Sequence, residues 1–163
     1  MPSSRQAPPA RSIERVVFLN RFFYPDHSAT SQILSDLSFF LAASGVDVHV
    51  VTSQQLYHSP RASLPRDETV NQVRIHRVPT TRFGRTALWG RGIDYASYYG
   101  SVWSCARSLV GPGDVLNAKT DPPLTSVVAM LVATRAVNLS RISETTKKRR
   151  IEYPRGARGE ARL

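Results

Sequence analysis

The sequence predicts an α/β fold built on a doubly wound, mostly parallel sheet. The first observation is a four-residue apolar run, Val16-Val17-Phe18-Leu19, flanked by Arg15 and Asn20 and without alternation, as expected of a strand covered on both faces. The second is the succession of periods: a strand-like run, a helical stretch, then another strand-like run. That is a βαβ unit, whose right-handed crossover sets its two strands parallel and adjacent. The third is size, since 163 residues at 41% hydrophobic and 21% charged suffice for one domain with a sizeable core.

The first strand empties into Asn20-Arg21-Phe22-Phe23-Tyr24-Pro25-Asp26-His27, a loop closed by Pro25. From Ser28 the period is helical, because Ile33, Leu34, Leu37, Phe40 and Leu41 recur at spacings of three and four and share a face. Ser28 or Thr30 supplies the N-cap, and Gly45 the left-handed residue that ends the helix. Val46 to Ser53 alternates Val46, Val48 and Val50 with Asp47 and His49 and forms the second strand. Residues 54–72 are polar, contain Pro60 and Pro65, and read as a surface loop before a third strand, Val73 to Val78.

Gly90, Gly92 and Gly100 weaken the helix propensity of residues 86–110. Ile93, Ala96, Tyr99, Val102, Trp103, Ala106 and Leu109 nevertheless keep a helical spacing, so a helix is expected from near Ile93 to the stop at Gly111-Pro112-Gly113. Asp114 to Lys119 is a fourth strand. Thr120-Asp121-Pro122-Pro123 then turns into an apolar helix from Leu124 to about Thr134, with Pro123 suited to a first helical turn. The order β-α-β-β-α-β-α makes the fold Rossmann-like.

Three segments follow. Residues 1–14 are a Pro-, Ser- and Arg-rich leader expected to be disordered, and 15–134 form the domain. Residues 135–163 are a basic tail, expected to be disordered or read out of frame: Val137, Leu139 and Ile142 sustain no period, and Thr145 to Arg150 leads into Gly, Arg and Glu. Of the formal charge of +10, residues 134–163 carry +6. A nucleic-acid binder is expected to carry a basic stripe with interleaved aromatic residues through its folded part, so no nucleic-acid partner is expected. Lys147 to Arg150 suits an anionic membrane surface instead. The N-terminus lacks the apolar run of a secretory signal, and Leu124 to Ala133 is about half of the roughly 20 residues a bilayer span needs. The expectation is a cytoplasmic protein, at most peripheral at the inner face of the membrane. A lone Cys105 excludes an internal disulfide, no metal-ligand spacing surrounds it, and no cofactor is expected.

In open α/β sheets ligands bind beyond the carboxyl ends of the strands, where the strand order reverses. Two loops meet that condition, residues 20–31 and 119–123. The first runs into a helix N-terminus, which favours an anion or a sugar hydroxyl near His27 to Ser31; capping by Ser28 and Thr30 is the competing use of the same residues. The chain has no G-x-G-x-x-G after the first strand and no P-loop, which argues against an oxidoreductase or a kinase. It also lacks G-x-S-x-G and H-E-x-x-H. His49 and His76 fall in mid-strand and read as satisfied sheet residues, whereas His27 beside Asp26 is placed for acid/base work.

Several separated blocks carry a resemblance: Val16 to Asp26; Ser28-Ala29-Thr30-Ser31-Gln32 with Leu34-Ser35-Asp36-Leu37; Gly45; Val48 to Ser53; Thr81-Arg82-Phe83-Gly84-Arg85; Ile93-Asp94-Tyr95; and Lys119-Thr120-Asp121-Pro122-Pro123-Leu124. Over residues 15 to about 133 the chain resembles the N-terminal, acceptor-side half of a bacterial family 4-type GT-B glycosyltransferase. The resemblance implies transfer of a sugar from a nucleotide-sugar to a saccharide or lipid-linked acceptor in cell-surface polysaccharide synthesis. It makes Asp26, His27 and Asp121 candidate bases for an acceptor hydroxyl, and Ser28, Ala29, Thr30, Ser31, Lys119 and Thr120 candidate substrate-binding residues. Many relatives carry a glycine pair where this chain has His27-Ser28-Ala29, and they continue into a further strand and a donor-binding domain that has no counterpart here. The resemblance therefore implies a truncated half that is inactive alone, with an exposed sheet edge after the fourth strand. The alternative is a stand-alone binding module whose basic tail docks on an anionic membrane or on a donor-domain partner.

Overall fold

A computed structural model describes residues 15–57, 59, 63–81, 83, 88–119 and 122–152. The leader and residues 153–163 of the basic tail lie outside them. The fold is α/β and Rossmann-like: strands β1 (Arg15–Leu19), β2 (Asp47–Ser53), β3 (Asp67–Val70), β4 (Val73–Val78) and β5 (Val115–Ala118) form a five-stranded sheet in the order β3-β4-β2-β1-β5. Only β3 runs antiparallel to its neighbour. Helix α1 (Ala29–Ala43) packs on one face over β2 and β4; α2 (Leu88–Leu109) covers the same strands from the other face, beside α3 (Thr125–Glu152), which lies on β5.

Cover on both faces is why the inner strands are apolar without a break. Val16, Phe18, Val48, Val50, Val73 and Ile75 point into the core under α1, together with Phe23 and Leu34. Val17, Leu19, Val51 and Val78 point into the opposite core against Tyr98, Val102 and Ala106 of α2 and Val128, Ala129 and Val132 of α3. Each Val, Leu, Ile or Phe among them, fully buried, contributes roughly 1.5–3 kcal/mol. The start of β5 is fixed to β1 by Arg15, whose Nε and Nη2 donate to the two oxygens of Asp114 at 3.0 and 2.6 Å.

Four local expectations need correction. The segment 54–72 is not all loop, since Asp67–Val70 is a strand hairpinned to β4 through Asn71 and Gln72, both at positive φ (47° and 66°). That is the geometry of a two-residue hairpin turn, but Asn-Gln lacks the usual glycine, and Asp-Glu-Thr-Val has no apolar alternation to mark a strand. Helix α2 begins five residues before Ile93, at Leu88.

The buried side of α1 is also not the one marked by its large residues. Ser31, Leu34, Ser35, Ser38 and Ala42 are buried, whereas Ile33, Leu37 and Phe40 are 62, 45 and 69% exposed. The buried stripe is turned by about one residue step, roughly 100°. Small side chains let the helix lie close on the sheet. Helix α3, finally, does not stop near Thr134 but continues to Glu152. No glycine or proline interrupts residues 125–152, and the Arg, Lys, Glu and Ala among them are good helix formers even without an apolar stripe.

Candidate functional site

The chain leaves β1 toward β2, β4 and β3 on one side and returns to β5 on the other, so the strand order reverses between β1 and β5. Their carboxyl ends open the crevice in which α/β sheets take ligands. The backbone N–H of Lys119 donates to the Leu19 carbonyl at 3.0 Å, which sets Lys119 beside the start of the loop after β1. The residues that follow Lys119, Thr120 and Asp121, lie outside the described residues.

The loop after β1 is held by its own polar groups. Asn20 is buried, and its Nδ2 donates to the Phe22 carbonyl at 2.6 Å. Asp26 is buried as well; its Oδ1 accepts the Ser28 N–H at 2.8 Å and its Oδ2 the Tyr57 N–H at 2.5 Å, so one carboxylate joins this loop to the loop after β2. Ser28 takes the N-cap position with extended backbone (φ −66°, ψ 146°), yet its side chain makes no capping bond. The N–H groups of Ala29, Thr30 and Ser31 are the first donors of α1, which have no carbonyl within the helix to receive them. Beneath them the Ser31 hydroxyl is buried with no hydrogen-bond partner among the described residues. His27 is exposed on the rim.

Residues from distant parts of the chain complete this rim. The Arg21 guanidinium lies 5.3 Å from the Phe22 ring centroid and 5.0 Å from that of Tyr95 on α2, a cation on two aromatic faces. Phe22 meets Tyr57 edge to face at 5.5 Å. Asp94 of α2 is buried, and its Oδ1 accepts the Thr81 hydroxyl at 2.7 Å and the Phe83 N–H at 3.0 Å, which fastens the loop after β4 to the helix. Thr81 and Phe83 of one sequence block and Asp94 of another are thus in contact in the fold. Sequence reasoning assigned no role to Arg21, Asp94 or Tyr95. The signals for Arg21 were its place two residues past the end of an apolar strand and inside the Val16 to Asp26 block.

His49 and His76 are satisfied sheet residues. Their rings stack at 5.3 Å, and the hydrogen-bond network assigns both protons: Arg74 Nη1 donates to His49 Nε2 (3.1 Å), His49 Nδ1–H to His76 Nε2 (3.0 Å), and His76 Nδ1–H to Asp67 Oδ1 (2.9 Å). Burial pushes His49 below the usual histidine range, against the pull of Asp47. Every ring nitrogen is thereby in use, and among the described residues no cluster of His, Cys, Asp or Glu could hold a metal ion. A cleft of about 370 Å³ lies between Arg66-Asp67, His76 to Pro79, and Ser101, Ser104 and Cys105 of α2. None of the sequence-derived site residues lines it, and burial raises the Cys105 thiol above its ordinary value.

Comparisons with known protein families and with curated proteins found none that matches this chain. Among the described residues no helix is long and apolar enough to cross a membrane.

Proposed function

We propose that this chain is the acceptor-side half of a GT-B-type glycosyltransferase, which serves transfer of a sugar from a nucleotide-sugar to a saccharide or lipid-linked acceptor. One observation carries the reading: the reversal of strand order lies between β1 and β5, and the two loops at that point are those that hold the candidate residues. Glycosyl transfer needs a base for the acceptor hydroxyl and positive charge or N–H groups for the departing diphosphate. The free N–H groups at Ala29 to Ser31, with Lys119 on the neighbouring strand end, suit the second need. For the first, His27 is the exposed candidate, since both oxygens of the buried Asp26 already receive backbone N–H groups.

The experiment is a ¹H–¹⁵N titration of the full chain with a uridine diphosphate sugar, and in parallel with inorganic pyrophosphate. Shift changes concentrated at residues 20–31 and 119–124 support the reading. Saturable changes elsewhere, or none with either probe, count against it.

A further inference from the structure

We infer that the outer face of α2 and α3 rests on an anionic membrane surface. The two helices lie side by side on one face of the sheet and both begin at its carboxyl end. Helix α2 turns Tyr98, Val102 and Ala106 to the core, and α3 turns Val128, Val132 and Ala136 inward. On their opposite sides Trp89 and Ile93, one turn apart on α2, and Val127, Met130 and Leu131 on α3 face away from the sheet. Trp89 is 86% exposed, more than any other large hydrophobic side chain among the described residues, and the other four are 44 to 62% exposed. Trp89 and Val127 lie in the first turn of their helices, at the end of the sheet where the crevice opens.

Charge decides what this face meets. Residues 88–109 and 125–138 contain three arginines, Arg91, Arg107 and Arg135, all exposed, and a single acid, Asp94, which is buried and bonded to Thr81 and Phe83. No surface carboxylate of these two stretches offsets the arginines. The other apolar helix face has the opposite sign: on α1, Ile33, Leu37 and Phe40 stand beside the exposed Asp36, and the helix has no basic residue. A second copy docked face to face on α2 and α3 would set arginines against arginines. Anionic headgroups attract the same arginines, and the headgroup region is also where a tryptophan side chain is favoured. Since no helix among the described residues is long and apolar enough to cross a membrane, α2 and α3 lie on the surface, with Trp89 and its apolar neighbours at headgroup depth. This contact is separate from the basic run Lys147 to Arg150 and does not depend on the activity proposed above.

The test is flotation of the full chain with vesicles of phosphatidylcholine alone and with vesicles containing about one-third phosphatidylglycerol. The chain's other tryptophan, Trp103, is half-buried against the core, so in Trp103→Phe the emission reports Trp89 alone. Flotation is expected with the anionic vesicles only, weakened by salt, together with a blue shift of Trp89 emission and its quenching by brominated lipid. Trp89→Glu combined with Met130→Glu changes only exposed side chains; it is expected to leave the circular dichroism unchanged and to reduce partition at least about tenfold. Lys147→Gln with Lys148→Gln is expected to leave the blue shift in place. Absence of flotation with the anionic vesicles overturns the inference, and is the result expected if an acidic protein covers this face instead. Flotation with Trp89 still at its aqueous emission also overturns it, since the basic run alone would then hold the chain. So does equal flotation with both kinds of vesicle, which would remove the role of the arginines.

Discussion

Arg77 ties the rim loop to β4 and β3, and replacing it tests how far the position of the loop depends on that tie. It projects from β4 with none of its side chain exposed; Nη1 donates to Glu68 Oε2 at 2.6 Å and to the Pro65 carbonyl at 3.3 Å, and Nη2 to the Tyr24 carbonyl at 2.9 Å. Its Nε is buried without a partner among the described residues, so the site already bears some cost of desolvation. Arg77→Ala removes the stem as well as the three bonds, and the cavity adds to orphaned carbonyls, so a loss of about 3–5 kcal/mol is expected. Arg77→Met keeps most of the stem and ends the burial of a charge, which reduces the expected loss to about 1–3 kcal/mol. Glu68 is 38% exposed and regains water when it loses its partner, so Glu68→Gln is expected to cost only about 1–2 kcal/mol. The assay is urea unfolding of the three variants, with amide exchange at residues 24–28 as the local readout. Exchange there should rise for both Arg77 variants and stay near wild type for Glu68→Gln, because only the former sever the Tyr24 bond. Arg77→Ala within about 1 kcal/mol of wild type, or unchanged exchange at the loop, would refute the reasoning.

Acid should destabilise the fold through His49. Its folded-state value lies below the unfolded one, so the unfolded chain takes up the proton first; stability is full above about pH 6.5 and falls as pH drops below it, by at most about 1.4 kcal/mol per pH unit for this one group. His49→Gln should flatten that part of the pH profile in thermal unfolding. Asp26→Ala should cost about 1–3 kcal/mol and increase amide exchange at Ser28 and Tyr57 together, since one carboxylate serves both; exchange at only one of them would show that the loops are held separately. Phe40→Lys should change stability by no more than about 0.5 kcal/mol, because the ring is 69% exposed, and a loss of 2 kcal/mol or more in urea unfolding would restore the face marked by the large residues of α1.

Strand content was legible wherever the strand is covered on both faces, because burial then imposes an unbroken apolar run, as in Val16 to Leu19. It was not legible at β3, whose Asp67, Glu68 and Thr69 are exposed and whose existence rests on the register of β4 and the Asn71-Gln72 turn. Helix existence could be read from period, but helix rotation could not. Period reports that large apolar residues share a side of α1, whereas contact with the sheet is decided by how closely a backbone can approach it, and Ser31, Ser35 and Ser38 win that competition against Ile33, Leu37 and Phe40. The end of α3 was misplaced for a related reason. Loss of an apolar stripe removes the evidence for packing, yet it does not remove helix propensity.

For the candidate site, the sequence pointed to two loops that the topology sets on either side of the reversal in strand order, but it could not rank the groups within them. Asp26 and His27 are adjacent and both look like bases when written in a line. In the fold they part, because the turn into α1 draws the Asp26 carboxylate inward onto two backbone N–H groups and leaves the His27 ring outside. A carboxylate committed in this way positions the loop, and freeing an oxygen for a substrate proton would first release either Ser28 or Tyr57. The same logic applies across the rim. Asp94 spends its Oδ1 on Thr81 and Phe83, while Arg21 sits on the faces of Phe22 and Tyr95, so among the described residues the two buried carboxylates here, Asp26 and Asp94, are structural and the cation beside them is held by aromatic faces. With Asp26 and Asp94 internally spent, the described rim offers helix N–H groups, a guanidinium and a lysine, which are the groups the proposed reading needs for an anionic or hydroxyl-rich ligand.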